Sequence, residues 1–298
     1  MTVKDTEQLA AQAIEAGAYE EAIRLLRPLA DANSEYALLS LGWIYETGAI
    51  GAVDRDKARA YYERAAADGS ASAHLYLGLL LLGNGEEVQA RAAFARGVEL
   101  NSDECKLELA RLADKDTERL AAQASKAGAY EEAVSLLRPL ADANSEYALL
   151  SLGWIYETGA TGAIDKDSAR SYYERAAASG SASACLELGR LLLSQGEESQ
   201  ARSAFEAGAE RGDIPCMARL GEMMVKGRGG PADVAAGSTW LQNAAARGHL
   251  FAQRILLGVK ERNARSMFEK FLIRLKITSL GGKWIRETLK DPHSDKVR

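Results

Sequence analysis

The chain has 298 residues, 47% of them hydrophobic, 27% charged and only five proline. That supplies enough apolar material for one elongated array or two compact domains, and it excludes wholesale disorder. The net charge of −5 is uneven: residues 259–298 hold eleven Lys/Arg against five Asp/Glu, and the rest holds 26 against 37. An acidic body with a basic tail does not make a nucleic-acid groove, which needs clustered positive charge to displace counterions.

Taken in chain order, the predicted elements are all helical. Asp5, with Gln8 three residues on, reads as the N-cap of a first helix that runs to Gly17. Ala18–Ala32 makes a second, bent in its later half by Pro28, which lacks an N–H and crowds the preceding turn. Ser34 opens a third, ended by Gly48, and Asp54 caps a fourth, ended by Gly69. A fifth covers about Ser70–Leu82 and a sixth about Glu86–Leu100. Such short helices joined by glycine turns form antiparallel pairs. One pair has too little core alone, so pairs must stack.

Leu25–Ala49 reads LLRPLADANSEYALLSLGWIYETGA, and the same 25 letters return at Leu136–Ala160. The offset of 111 holds without a gap, carrying Tyr19 onto Tyr130, Trp43 onto Trp154, Asp54 onto Asp165, Phe94 onto Phe205 and Cys105 onto Cys216. A large unit has been duplicated. From Ser102 to Ala127 no Gly or Pro interrupts, and Cys105–Leu112 matches the first helix of a third short repeat whose partner is missing. Either one long helix or two helices with a tight joint must fill this stretch, with a jog in the superhelix. The expected divisions are 1–113, 114–258 and a basic tail, 259–298.

The stretch from Tyr36 to Ala73 resembles a Sel1-like repeat, a relative of the tetratricopeptide repeat. Ala37, Leu41-Gly42, Tyr45, Gly48, Asp54, Lys57-Ala58, Tyr61-Tyr62, Ala65-Ala66 and Gly69 carry the resemblance. The second copy repeats them, with Ser168 in place of Lys57. A looser third reads Leu220-Gly221, Met224, Gly227, Gly229, Asp233, Trp240, Ala244-Ala245 and Gly248, and lacks the tyrosine at Met224 and the basic residue at Ala236. Residues 9–30 look more like a plain tetratricopeptide hairpin. The resemblance implies an all-α, right-handed α-solenoid of antiparallel helix pairs, with a C-terminal capping or partner-binding helix. It further implies a non-catalytic, bacterial-type adaptor that grips protein segments in a concave face. Proteins of this kind often scaffold signalling, cell-envelope and polysaccharide-assembly systems.

With the family-like positions set aside, Tyr36, Ser40, Trp43 and Thr47 recur at helical spacing on a face distinct from Ala37, Leu41 and Tyr45. Their twins are Tyr147, Ser151, Trp154 and Thr158. The resemblance assigns such a face to the ligand groove; alternatively the two tryptophans pack between hairpins. On the next first-helix, His74, Tyr76 and Leu79 become Cys185, Glu187 and Arg190 while the leucine framework persists. Two different surfaces are expected, one apolar and one charged; drift on solvated positions is the plain alternative.

No catalytic, metal or cofactor constellation is expected. His74, His249 and His293 are far apart and make no metal-ligand motif. His249 beside Gly248 reads as structural by the resemblance. Gly227–Gly230 lacks the Gly-Lys-Ser/Thr of a phosphate loop and reads as a turn. The N-terminus has no apolar core behind a basic start, so no secretory signal is expected. Cys105, Cys185 and Cys216 form no paired framework and read as buried thiols of a cytoplasmic protein.

In the tail, Phe268, Phe271, Leu272 and Leu275 form an apolar stripe beside Lys270, Arg274 and Lys276; Gly281-Gly282 breaks it before Trp284, Ile285 and Leu289. The tail reads as a cap over the last hydrophobic face, as a partner-binding helix, or as an anchor at an anionic membrane through residues 264–290. The last of these would make the protein a peripheral factor at the inner membrane, regulating an envelope or polysaccharide-synthesis enzyme.

Overall fold

The computed structural model describes residues 2–264 and 266–290, apart from the side chains at 263, 268 and 288–290. The side chains of the stripe residues Phe268 and Leu289, and the histidine at 293, lie outside the described residues. Sixteen helices and no strand occur among the described residues. They are α1 (Val3–Glu15), α2 (Tyr19–Asp31), α3 (Glu35–Thr47), α4 (Arg55–Ala67), α5 (Ala71–Gly83), α6 (Glu87–Glu99), α7 (Asp103–Lys126) and α8 (Tyr130–Asp142). Then come α9 (Glu146–Thr158), α10 (Lys166–Ala178), α11 (Ala182–Gln195), α12 (Glu198–Glu210), α13 (Ile214–Lys226), α14 (Val234–Ala246), α15 (Leu250–Asn263) and α16 (Met267–Lys290).

Within each unit consecutive helices pack in pairs and each pair stacks on the next, which is the all-α solenoid architecture expected. The caps explain the register. Ser34, Ser70, Ser145 and Ser181 each accept a backbone N–H three residues on. Asp54, Asp165 and Asp233 do the same for α4, α10 and α14. Gly48 and Gly159 end α3 and α9 with φ near +68° and +69°, a left-handed conformation that a side chain resists.

Inside a hairpin, a glycine faces an aromatic ring. A Cβ placed at Gly42 would overlap Tyr62, and one at Gly153 would overlap Tyr173; Gly78 and Gly189 meet Phe94 and Phe205 in the same way. The four rings are 0–1% exposed, each contributing roughly 2–3 kcal/mol by burial. Between hairpins, polar ties recur. Ser34 donates to Glu7 and Ser145 to Glu118, both at 2.8 Å, while Ser70 donates to Glu35 and Ser181 to Glu146. Arg64 donates to the Ala30 carbonyl at 2.8 Å, and Arg175 to that of Ala141.

Two expectations need correction, and two that stood open are settled. The cap of α1 is Thr2, whose hydroxyl accepts from the Asp5 N–H while the Asp5 carboxylate accepts from the Thr2 N–H, so Asp5 is the third helical residue of a capping box. Of the two alternatives for the stretch from Ser102 to Ala127, the single helix holds: α7 (Asp103–Lys126) runs through it, with no Gly or Pro to terminate it. Gly281-Gly282 does not break α16, which continues through both; a glycine weakens a helix interior without ending it. Cys185, which stood both among the changing letters of its helix and among the thiols expected to be buried, is buried: its Cβ lies against Gly208, and Arg211 donates to its sulfur at 2.9 Å. Pro28 and Pro139 sit inside uninterrupted helices, and His249 is the buried N-cap of α15, its Nδ1 accepting from Ala252.

The chain separates into two compact units, one ending at Asp116 and the other beginning at Thr117. The boundary falls inside α7.

Candidate functional site: a groove in the second unit

In the second unit the end of α7 and the first helices of two hairpins, α9 and α11, enclose an open groove of about 1000 Å³. Helical spacing builds its floor. Tyr147, Ser151, Trp154 and Thr158 stand on one side of α9, and Glu187 and Arg190 on α11. All six residues singled out in this half by sequence thus line one groove. Leu150, Glu157, Tyr173 and Ser183 join them, with Ala122, Ser125 and Lys126 from α7.

The groove joins aromatic and charged surface. Trp154 is 47% exposed, its indole tilted against Tyr130 with ring centroids 6.1 Å apart. It is not packed away as Tyr173 and Phe205 are, the rings that fill the interior of their hairpins. Arg190 donates to Glu187 at 3.2 Å. The buried Tyr173 hydroxyl donates to Glu157 at 2.9 Å. Burial, and then the Glu157 charge, push that phenol well above its ordinary range, so it stays a donor. The Thr158 hydroxyl donates to the Trp154 carbonyl, which leaves it an acceptor toward the groove.

The first unit carries the corresponding face on α3 and α5. Tyr36, Trp43, Thr47, Tyr76 and Leu79 are exposed on it, and Ser40 is half-buried. Trp43 is 40% exposed and tilts against Tyr19 at 6.2 Å. Tyr76 stacks on Tyr62 at 5.7 Å, and Tyr62 donates to Glu46 at 2.8 Å. Both tryptophans are therefore presented outward rather than packed away.

Sequence reasoning missed the contribution of α7. The signal was available: the 111-residue offset turns Ile14-Glu15 into Ser125-Lys126, a change as sharp as Tyr76 and Leu79 into Glu187 and Arg190. Among the described residues no three His, Cys, Asp or Glu side chains gather where a metal could be held. Nor, among them, is any helix long and apolar enough to cross a membrane.

Comparison with known proteins bears on this architecture. The model of the Sel1 repeat matches residues 35–70, 146–181 and 214–249. The crystal structure of a Sel1 repeat protein from Oxalobacter formigenes is 23% identical, covering 86% of this chain and 87% of that one, with a TM-score of 0.62. That of c5321, a protective antigen of uropathogenic Escherichia coli displaying an SLR fold, is 22% identical. It covers 92% of this chain and 60% of that one, with a TM-score of 0.58. At these identities the likeness is one of fold. No curated protein matches the chain. Three matched repeats, together with two solved structures of the same architecture, identify this chain as one that carries Sel1-like repeats.

Proposed function

We propose that the protein is an adaptor that holds segments of partner proteins against the α7–α9–α11 groove and the equivalent face of the first unit. Sel1- and tetratricopeptide-like repeat proteins generally mediate protein–protein interaction, and the Sel1-repeat scaffold is typically non-catalytic. The supporting observation is the convergence of Tyr147, Ser151, Trp154, Thr158, Glu187 and Arg190 on one open groove. Exposed tryptophan and tyrosine supply large contact area at little entropic cost, and the neighbouring Glu–Arg pair selects by charge. The buried free thiols Cys105, Cys185 and Cys216 accord with action in the cytoplasm. Nothing in the groove's chemistry favours an envelope or polysaccharide-synthesis enzyme over another protein partner.

The test is affinity capture from the native cell with wild type, Trp43→Ala and Trp154→Ala, each checked for native helicity. Each variant should lose its own subset of partners, at about 2 kcal/mol, or roughly thirty-fold in affinity, per anchor. Survival of every partner through both substitutions would end this reading.

A further inference from the structure

The C-terminal helix α16 leaves part of its apolar surface uncovered. Its packing is with α15, and its half-buried residues Ile273, Ile277 and Leu280 recur along one side. Away from that side, Phe271 and Leu275 are 56% and 53% exposed, with Leu272 beside them. A solenoid cap would close over such residues; α16 instead leaves them open. The helix is also basic, with six Lys/Arg against two Asp/Glu from Met267 to Lys290.

The two halves offer unequal partners for a basic, apolar helix. Residues 1–116 carry twelve Lys/Arg against twenty Asp/Glu, a net charge of −8. Residues 117–258 carry fourteen against seventeen, a net charge of −3. The local chemistry follows the same division. The first face presents Trp43, Tyr76 and Leu79 with Glu15 and Glu46. The second replaces Tyr76, Leu79 and Glu15 with Glu187, Arg190 and Lys126, so that its two cations offset Glu157 and Glu187. Apolar area and uncompensated negative charge coincide in the first unit, whereas in the second the carboxylates are balanced by Arg190 and Lys126, which repel a basic helix.

We propose that α16 of one copy docks on the Trp43–Tyr76–Leu79 face of a second copy, so that the protein self-associates head to tail. This rests on the groove-binding reading of the proposed function and names the occupant of the first face. Because the two surfaces differ, the contact is heterologous: each added copy leaves one face and one tail free, and the assembly grows rather than closing as a symmetric pair.

The experiment uses full-length protein in sedimentation and light scattering across concentration, at low and high salt. Wild type should pass beyond the dimer as concentration rises, and association should weaken at least tenfold between about 50 and 500 mM salt. Phe271→Asp/Leu275→Asp should be monomeric, as should Trp43→Glu/Leu79→Glu, while both keep wild-type helicity. Mixed one to one, these two variants retain one good tail and one good face between them, and should form a dimer that grows no further. Trp154→Ala should associate as wild type does. The proposal is overturned if wild type stays monomeric, if the mixture stays monomeric, or if Trp154→Ala abolishes association. A monomeric wild type that floats with phosphatidylglycerol vesicles, and stops doing so as Phe271→Asp/Leu275→Asp, would assign α16 to a membrane instead. Loss of self-association with Trp43- and Trp154-dependent capture intact would defeat this proposal and leave the groove reading standing.

Discussion

The two halves share 25 identical consecutive residues, yet the faces built around them differ. Each first-helix contributes the same Tyr, Ser, Trp and Thr; what changes is the helix on either side. In the first unit Tyr76 stacks on Tyr62 and Leu79 is exposed. In the second, Glu187 pairs with Arg190 above Tyr173. The contrast separates two tasks. Ring-on-glycine packing and the Ser–Glu ties fix the scaffold, so those letters cannot drift. The outward positions of flanking helices carry little of the fold and can be respecified.

The heaviest blow to the shared part should come at the glycine seats. Gly42→Val and Gly153→Val should each destabilise their unit by about 3 kcal/mol or more, because a buried ring has no room to retreat. Urea unfolding should show near-equal losses; a loss in one unit only would mean the two hairpins are not equivalent. Next in size, the double change Tyr76→Glu/Leu79→Arg should give the first face the second's selectivity. Capture should gain partners that depend on Trp154 in wild type, with shifts of about tenfold, or 1.4 kcal/mol. An unchanged partner set would place selectivity elsewhere. Tyr62→Phe and Tyr173→Phe remove one hydrogen bond each and leave a carboxylate less well satisfied, at about 1 kcal/mol apiece in the same urea measurement.

The smallest expected effect distinguishes the halves by pH. Burial, and then the Arg96 charge, hold the His74 imidazole below its ordinary value of 6.5. On acidification the unfolded chain takes up this proton first. The contribution of neutral His74 is therefore complete above 6.5 and is lost as pH falls from there through the lowered native value. Unfolding followed by Trp43 fluorescence should shift to lower urea between about pH 7.5 and 5.5, and His74→Cys should flatten that dependence. The second unit, with Cys185 at this position, should lack it; equal slopes in both would refute the assignment.

Most of the architecture could be read in the letters because its determinants are local and repeated. Serine and aspartate caps, left-handed glycines and small residues against rings occur at fixed spacing, and the helices fall within a few residues of expectation. The errors arose where one element's behaviour depends on others. Asp5 looks like a helix cap until the Thr2 hydroxyl is seen accepting from its N–H. Gly281-Gly282 looks like a stop, yet two glycines in a long helix are insufficient to end it. The groove was half legible: α9 and α11 declare themselves by periodicity, whereas Lys126 and Ser125 arrive from a helix assigned only to a junction.

The pairing of each glycine with a ring on the very next helix has a practical corollary. Gly42 and Tyr62, or Gly78 and Phe94, travel together within one hairpin, so a hairpin carries its own seat as a module, though it still needs neighbours to stack on. The stacked faces, together with the serine–glutamate and arginine–carbonyl joints, are what must be matched when a module is inserted or deleted. Lengthening or shortening this molecule by whole modules is thus open to evolution and to the protein engineer, while splicing within a module is not.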